Sequence, residues 1–377
     1  MNSSKTLLIV ADSEHDADML YAVGMFVPDP FIYLRVGGIP HVVMSDLEIG
    51  RARQQASHCR VLSHSHYQDK LRKLGVPKPG MADVIEYLMR EKRARSAVVP
   101  GNFPLGLATE LQKRQVRIAP APAGIFPERE RKSAAEVKKI SEALRMAESG
   151  MSEGIRVLRE AKIGKRRRLT WQGTPLTSEK LRTVIDTAIL QKGGLANHTI
   201  VAGGDQGCDP HESGHGPLRA HEPIILDIFP RSQKTGFFGD ITRTVVRGRA
   251  SEAVRNLYES VRAAQELAFR KVRKGVVTME IHKSVQDMFK QQGHPTGKRG
   301  GRMEGFFHGT GHGLGLEIHE APRIGSNSSC VLEIGNVVTV EPGLYYPGVG
   351  GVRLEDVVVV TDRGSRNLTH FEKILEL

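Results

Sequence analysis

The chain has 377 residues, 39% hydrophobic and 25% charged, which is the ordinary balance of a globular protein and enough for two domains. Lysine and arginine number 54 against 42 acidic residues, so the formal charge of +12 permits nucleic acid, an anionic membrane or an acidic substrate as a partner without choosing among them. No apolar run approaches the roughly 18 residues of a membrane span, which excludes a membrane-spanning protein.

The start of the chain and the cysteines both argue against export. Acidic residues follow the short apolar run at 7–10, which is not the pattern of a signal peptide. The three cysteines, Cys59, Cys208 and Cys330, are far apart and odd in number, so no disulfide framework is indicated. We therefore expect a cytoplasmic protein without a membrane partner.

The first third of the chain alternates strand-like and helix-like patterns. Strands are predicted at 6–11, 31–36, 41–45 and 96–100, and helices at 46–56 and 81–92. Such alternation predicts a layered α/β domain. At 120–132 the composition changes to Pro-Ala-Pro-Ala-Gly and then to a cluster of charges, which marks a boundary. We expect an N-terminal domain at 1–127 and a second domain at 128–377.

The second domain begins with a strong helix signal. Ser133 and Glu136 have the spacing of a capping box, and apolar residues recur after them at helical intervals to about residue 161. Further helices are predicted at 178–192, 251–273 and 278–292. Strands are predicted at 198–202, 223–229, 237–246, 336–341 and 352–360. Helices and strands in blocks predict an α+β domain.

Four carboxylates lie within strands that otherwise look buried. They are Asp227, Asp240, Glu341 and Glu355. An unpaired buried carboxylate is costly, so each must face water, meet a cation or become protonated. Facing water is the ordinary interpretation for any one of them, but it must hold four separate times to explain all four.

A histidine-rich segment supplies further metal ligands. Residues 308–320 contain His308, His312 and His319 together with four glycines, which favour an extended, closely packed backbone over a helix. Carboxylates with imidazole suit two divalent ions that activate a water molecule, and imidazole favours Mn, Co, Fe or Zn over Mg alone. These residues therefore predict a two-metal hydrolase, without indicating which bond is cut.

At these residues the chain resembles the pita-bread metallopeptidases, the family of methionine aminopeptidase, aminopeptidase P, prolidase and the related creatinase. The matching segments, in chain order, are 225–227, 239–244, 311–320, 340–345 and 351–356. The resemblance covers about 130–377, and the preceding domain is similar to the creatinase-type N-terminal domain of the Xaa-Pro branch. It implies an α+β fold in which a pita-bread catalytic domain follows a smaller α/β domain.

The resemblance also implies the ligands of two divalent ions, taken as Mn, Co or Zn. Asp227 would bind one ion, His312 and Glu341 the other, and Asp240 and Glu355 both. A water molecule between the ions would be the nucleophile, with Glu341 as general base. The implied reaction is cleavage of the peptide bond before proline at a free N-terminus, by an aminopeptidase or a dipeptidase. The implied partners are a peptide with proline second and a second copy of the chain.

Further site residues follow from the same resemblance. His211 and His319 match histidines that orient the scissile carbonyl, His308 matches one in the pocket wall, and Arg353 an arginine near the site. His215 could replace His211 in this role, because the motif around it departs from the family. The spacing between Asp227 and Asp240 is longer than usual, which predicts a longer hairpin at 230–238 with both ligands retained.

Two other functions are compatible with parts of the sequence. A non-catalytic pita-bread protein that binds RNA or protein would explain the positive charge and the basic run at 165–168, but such relatives commonly lose metal ligands, and all five are present here. We expect that run to be a solvated loop and do not expect nucleic acid as a partner. A creatinase-like guanidino hydrolase would need no metal, so the intact carboxylates argue against it.

Overall fold

Residues 5–122 and 124–377 are described by the structure, which is a computed structural model. The chain divides into an N-terminal unit that ends at Pro127 and a C-terminal unit that begins at Glu128. Within the described ranges, no helix combines the length and the apolar character that crossing a membrane requires.

The N-terminal unit alternates strands and helices along the chain. Its elements are β1 (Leu7–Ala11), α1 (Ala17–Val23), β2 (Phe31–Val36), β3 (Ile39–Met44), α2 (Asp46–Gln55), β4 (Arg60–Ser63), α3 (His64–Lys73), α4 (Met81–Glu91), β5 (Ser96–Val99), α5 (Leu105–Lys113) and β6 (Arg117–Pro120).

One mixed sheet, in the order β4-β3-β2-β1-β5-β6, forms the centre of this unit. Strand β2 pairs antiparallel with both β1 and β3, whereas the pairs β3–β4, β1–β5 and β5–β6 are parallel. Alternate residues of β1 belong to different cores, with Leu7 and Ile9 on one side and Leu8 and Val10 on the other. Because helices cover both faces, the predicted α/β arrangement is confirmed.

The sequence did not reveal α1, β4, α3, α5 or β6. Helix α3 shows why, since its sequence His-Ser-His-Tyr-Gln-Asp-Lys-Leu-Arg-Lys buries only Tyr67 and Leu71. Two apolar residues in ten do not produce a clear helical periodicity. The three helices form because they pack on the central sheet, and β4 and β6 form because they pair at its two edges. The local sequence encodes neither kind of contact.

The C-terminal unit contains the remaining elements. They are α6 (Ala134–Glu160), β7 (Lys162–Ile163), β8 (Leu169–Trp171), β9 (Thr174–Pro175), α7 (Ser178–Gln191), β10 (Gly194–Leu195), β11 (Ile200–Gly203), β12 (Pro223–Ile228), β13 (Arg231–Ser232), β14 (Ile241–Val246), α8 (Glu252–Lys271), α9 (Thr278–Gln291), β15 (Gly297–Arg299), β16 (Arg302–Glu304), β17 (Gly311–Gly313), β18 (Glu320–Ile324), β19 (Val337–Val340), β20 (Gly343–Tyr346), β21 (Gly350–Arg353), β22 (Asp356–Thr361) and β23 (Gly364–Asn367).

Helix α6 begins as its sequence predicts. The Ser133 hydroxyl accepts a hydrogen bond from the backbone N–H of Glu136, whose carboxylate in turn accepts one from the Ser133 N–H at 2.9 Å.

The basic run that follows helix α6 forms an exposed 3-10 turn at Lys165–Arg167. That position fits the expected solvated loop.

Two apolar cores divide the C-terminal unit into halves. The first core joins α6 and α7 to the three-stranded sheet β11-β12-β14, and the second joins α8 and α9 to the five-stranded sheet β18-β17-β19-β22-β23. The two halves meet where Thr242 of β14 forms a β-bridge with Glu355 of the second half. Candidate site residues from both halves therefore lie close to this junction.

The strand predicted at 352–360 is wrong in one respect, because the structure has two strands there. Strand β21 pairs with β20, and β22 pairs with β19 in another sheet. Glu355 lies in the break, where its N–H donates to the carbonyl of Thr242 at 3.1 Å. The strand that was predicted from 237 likewise begins only at Ile241, and the strand predicted to include Glu341 ends at Val340.

Candidate metal centre

The first two carboxylates are carried by the hairpin that joins β12 to β14. Asp227 lies within β12 opposite Thr242, and Asp240 directly precedes β14. The extra residues between them form a longer hairpin loop, closed by a hydrogen bond from the N–H of Gly239 to the carbonyl of Pro230 at 3.0 Å. The insertion leaves both carboxylates at the cavity described below.

His312 lies on β17, a strand whose glycines allow close backbone packing. A Cβ atom at Gly311 would stand 1.9 Å from the carbonyl oxygen of Thr339, and one at Gly313 would stand 2.2 Å from that of Ala321. No side chain fits in these spaces, so the extended, closely packed backbone that the sequence predicted is present.

The ring of His312 is oriented by its own strand. Its Nδ1 lies 3.1 Å from the carbonyl oxygen of Gly313. Because a carbonyl only accepts hydrogen bonds, Nδ1 carries the proton and Nε2 keeps a free electron pair. Burial lowers the pKa of His312 to about 3, so the ring is neutral near pH 7.

The electron pair of His312 points at carboxylates. Its Nε2 lies 3.4 Å from Oε1 of Glu341 and 3.7 Å from Oδ2 of Asp240. One ligand atom each of Asp240, His312 and Glu355 fall within 4.8 Å of one another, and all three residues are buried. Acceptors so close to one another need a proton or a cation between them.

The carboxylates themselves resist ionisation in the absence of a cation. Burial, followed by the neighbouring Glu355, raises the pKa of Asp240 well above its usual value. Burial and the nearby Glu341 raise the pKa of Glu355 in the same way, and burial raises the pKa of Glu341 to about 7. Oxygen-rich ligands with one imidazole nitrogen fit a site for divalent cations, which would offset this repulsion.

Asp227 differs from the other carboxylates because it already has a cationic partner. Its Oδ2 accepts a hydrogen bond from Nη2 of Arg353 at 2.6 Å. The same guanidinium donates through Nη1 to the hydroxyl of Tyr345 at 2.9 Å, and that hydroxyl lies 2.8 Å from Nε2 of His308. His308 donates from Nδ1 to the carbonyl of Gly309 at 2.8 Å, so its Nε2 accepts from Tyr345. This chain of hydrogen bonds fixes the orientation of Asp227.

A cavity of about 760 Å³ brings the predicted residues together. Its walls include all nine of them, namely His211, Asp227, Asp240, His308, His312, His319, Glu341, Arg353 and Glu355. The ring of His319 lies 4.3 Å from that of His312, edge to face, and burial lowers the pKa of His319. His215 is not among the described residues of the wall, and its side chain is 72% exposed beside Glu212.

Two residues of the site had no role in the sequence analysis. Tyr345 is fully buried and links Arg353 to His308, and Arg323 of β18 lines the cavity. A tyrosine in an apolar strand needs a partner for its hydroxyl, which was a usable signal for Tyr345. Arg323 follows the histidine segment 308–320 by three residues, but nothing in its spacing distinguishes it from a surface arginine.

Replacement of Tyr345 by phenylalanine tests this hydrogen-bond chain. We expect the Tyr345→Phe protein to lose about 1–3 kcal/mol of unfolding free energy, because Arg353 and His308 each lose a buried partner. Urea denaturation followed by circular dichroism measures the loss. The matched control is Tyr346→Phe, because Tyr346 is a half-buried neighbour whose hydroxyl donates an exposed hydrogen bond to the carbonyl of Pro295 at 2.9 Å. Equal losses in the two variants would contradict the chain.

Comparisons with known proteins agree with this centre. The sequence profile described as "Metallopeptidase family M24" matches residues 138–362, more than half of the chain. The uncharacterized peptidase YqhT of Bacillus subtilis is 35% identical over 240 residues, which are 62% of this chain and 65% of that protein. Another curated relative, of Staphylococcus aureus, is matched over 63% of its length, so the chain spans less than two thirds of these relatives.

Solved structures match along almost the whole chain. The Xaa-Pro dipeptidase from Bacillus anthracis has a TM-score of 0.83 at 23% identity, over 99% of this chain and 95% of that one. The X-Pro aminopeptidase from Thermotoga maritima has a TM-score of 0.81 at 21% identity, over 98% and 97%. These matches confirm the expected α+β fold with a smaller α/β unit before the pita-bread unit. From its profile match and the fold it shares with these peptidases, the chain belongs to metallopeptidase family M24.

Proposed function

We propose that the protein is a metal-dependent Xaa-Pro peptidase, which cleaves the peptide bond before proline in a substrate with a free N-terminus. The observation that carries the proposal is the unprotonated Nε2 of His312 between the carboxylates of Asp240 and Glu341. The names of the similar structures, an Xaa-Pro dipeptidase and an X-Pro aminopeptidase, support the bond and leave the substrate length open.

Five residues would hold two divalent ions, of which Mn, Co or Zn suit the ligands. Asp227 would bind one ion, His312 and Glu341 the other, and Asp240 and Glu355 both. When bound, such a pair lowers the pKa of a water molecule and polarises the scissile carbonyl. The expected homodimer belongs to the same proposal.

Glu341 would move the proton. Its carboxylate lies 3.4 Å from the hydroxyl of Thr339, which donates to Oε1 and fixes its direction. The pKa of about 7 is that of the protein without metal, and a cation beside the carboxylate would lower it. As an anion, Glu341 accepts a proton from the attacking water molecule and returns it to the departing proline nitrogen.

The histidines would act on the scissile carbonyl. Burial keeps His319 neutral at pH 7, so it can donate a single hydrogen bond to the oxygen that becomes negative during attack. His211 lies at the same cavity and offers a second donor. His308 is held by Tyr345 and Gly309 and would shape the wall against which the proline ring packs.

Metal removal and return test the proposed function. We expect the protein treated with a chelator to lose turnover of Ala-Pro and Ala-Pro-Ala, and Mn²⁺ to restore it, while Ala-Ala is not cleaved under any of these conditions. Release of free alanine, which hydrolysis of each of the three peptides would produce, and metal content are measured on the same samples. Full metal binding without cleavage of either proline peptide would overturn the proposal.

A further inference from the structure

Helix α8 carries a glutamine in the middle of its apolar stripe. Val261 and Ala268 lie about one turn before and one turn after Gln265 on the same face, and all three residues are fully buried. This face packs against β19 and β21, the strands that lead to Glu341 and Glu355. A polar side chain is costly to bury unless it is hydrogen-bonded, so the partners of Gln265 decide what it can do.

The side-chain amide of Gln265 reaches the ends of both strands. Its Nε2 donates to the carbonyl of Val340 at 2.9 Å and to the carbonyl of Leu354 at 3.1 Å. Val340 is the last residue of β19, and Leu354 lies in the break between β21 and β22, so both carbonyls lie where strand pairing stops. Buried carbonyls in such positions need a donor from outside the sheet. One nitrogen therefore joins two segments that belong to different sheets.

Each of these carbonyls belongs to the peptide group that leads into a predicted metal ligand. The first shares its plane with the N–H of Glu341, which donates to the carbonyl of Thr310 at 2.8 Å. The second shares its plane with the N–H of Glu355, which donates to the carbonyl of Thr242 at 3.1 Å. A planar peptide group that is held at both its C=O and its N–H cannot turn, so the ligand that follows keeps its direction. Gln265 is the partner common to both groups.

The chemistry of the carbonyls fixes the orientation of the amide. Carbonyl oxygens only accept hydrogen bonds, so the nitrogen of Gln265 must face them and Oε1 must point away. No described residue donates to this buried Oε1. An apolar side chain would avoid the unpaired oxygen, but it would leave the two peptide groups without their shared donor. The side chain thus leaves one acceptor unpaired while it supplies two hydrogen bonds to the ligand segments.

From these contacts we infer that Gln265 is a positioning residue of the metal centre, which sets the separation of Glu341 and Glu355 before a cation binds. Glu341 would bind one ion and Glu355 both, so displacement of either peptide group would weaken the binding of at least one ion. Groups that orient metal ligands without touching the metal contribute about 10- to 100-fold to affinity or activity. The inference rests on the metal binding of the proposed function, whose mechanism makes no use of Gln265.

The test compares Mn²⁺ binding by the metal-free protein and its variants, measured by calorimetry. Gln265→Met keeps the length of the side chain and removes both donors, so the affinity for Mn²⁺ should fall about 10- to 100-fold. Gln265→Glu keeps the shape and can donate at most one hydrogen bond, so it should weaken binding at least about threefold. This second variant keeps the measurement possible if Gln265→Met does not fold.

The matched control is Val261→Ala, which removes buried atoms from the same face of α8 but no hydrogen-bonding group. It should lower the unfolding free energy of the metal-free protein, as the Gln265 variants do, and leave the affinity for Mn²⁺ within about twofold. Kinetics with Ala-Pro at saturating Mn²⁺ give a second measurement. There Gln265→Met should lower kcat more than it changes KM, because the ligands are displaced while the substrate pocket is kept.

The outcomes separate the inference from the proposed function. Equal Mn²⁺ affinity of the unaltered protein and the folded Gln265 variants, or an equal loss in Val261→Ala, would overturn the inference alone. Failure of the unaltered protein to bind Mn²⁺ would overturn the proposed function and the inference with it. Mn²⁺ binding without cleavage of Ala-Pro would overturn the proposed peptidase activity alone.

Discussion

Replacement of Glu341 by glutamine should reduce kcat for Ala-Pro by about a thousandfold or more. The amide keeps the shape of the side chain and can still accept the hydrogen bond from Thr339, but it cannot take a proton from the attacking water molecule. General base catalysis alone accounts for about 10²–10⁴ in rate, and weaker metal binding adds to the loss. Steady-state kinetics with saturating Mn²⁺, together with metal analysis, separate the two contributions.

The control for this variant is Glu280→Gln, an exposed residue in the first turn of α9. It removes one carboxylate from the same unit without touching the cavity, so its kcat should equal that of the unaltered protein. If the Glu341→Gln protein retained full activity with both metal ions bound, Glu341 would not be the general base. Another residue would then have to accept the proton of the attacking water molecule.

The carboxylates of the candidate metal centre were predictable from sequence because each interrupts an apolar stretch. Asp227 is one acidic residue within Ile-Ile-Leu-Asp-Ile, and it was the occurrence of four such carboxylates together that indicated a site inside the protein. The glycines around His312 were equally informative, since Gly311 and Gly313 occupy spaces that no Cβ could share. Local sequence therefore specified which residues enter the site and how closely the backbone packs there.

The connections among these residues were not predictable in the same way. Arg353 and Asp227 are far apart in sequence and meet only because β21 lies against β12. The position of Glu355 in a break between two strands depends equally on its bridge to Thr242 in the other half of the unit. Neither contact leaves a local pattern, because each arises from the packing of one half on the other.

The second large effect concerns stability, and Asp240→Asn should act in opposite directions with and without metal. In the metal-free protein the variant should be more stable than the unaltered protein at pH 8, by about 1–3 kcal/mol, because an amide relieves the repulsion among buried carboxylates. The pKa of Asp240 is raised in the folded state, so the protonated carboxyl favours folding at low pH. This stability is lost as the pH rises through the folded-state pKa of Asp240. The advantage of the variant should therefore shrink toward pH 5.

Addition of Mn²⁺ should make the unaltered protein the more stable of the two, since ions that bind the folded state stabilise it more when they bind more tightly. Asp240 is expected to bind both ions, and its loss should leave the Asp240→Asn protein with a much smaller rise in Tm than the unaltered protein. Asp287→Asn, which removes an exposed carboxylate of α9, should change Tm little under any of these conditions. If Asp240→Asn lowered Tm equally with and without Mn²⁺, Asp240 would be a structural residue, whereas a reversal of order requires that its charge is unfavourable until a cation arrives.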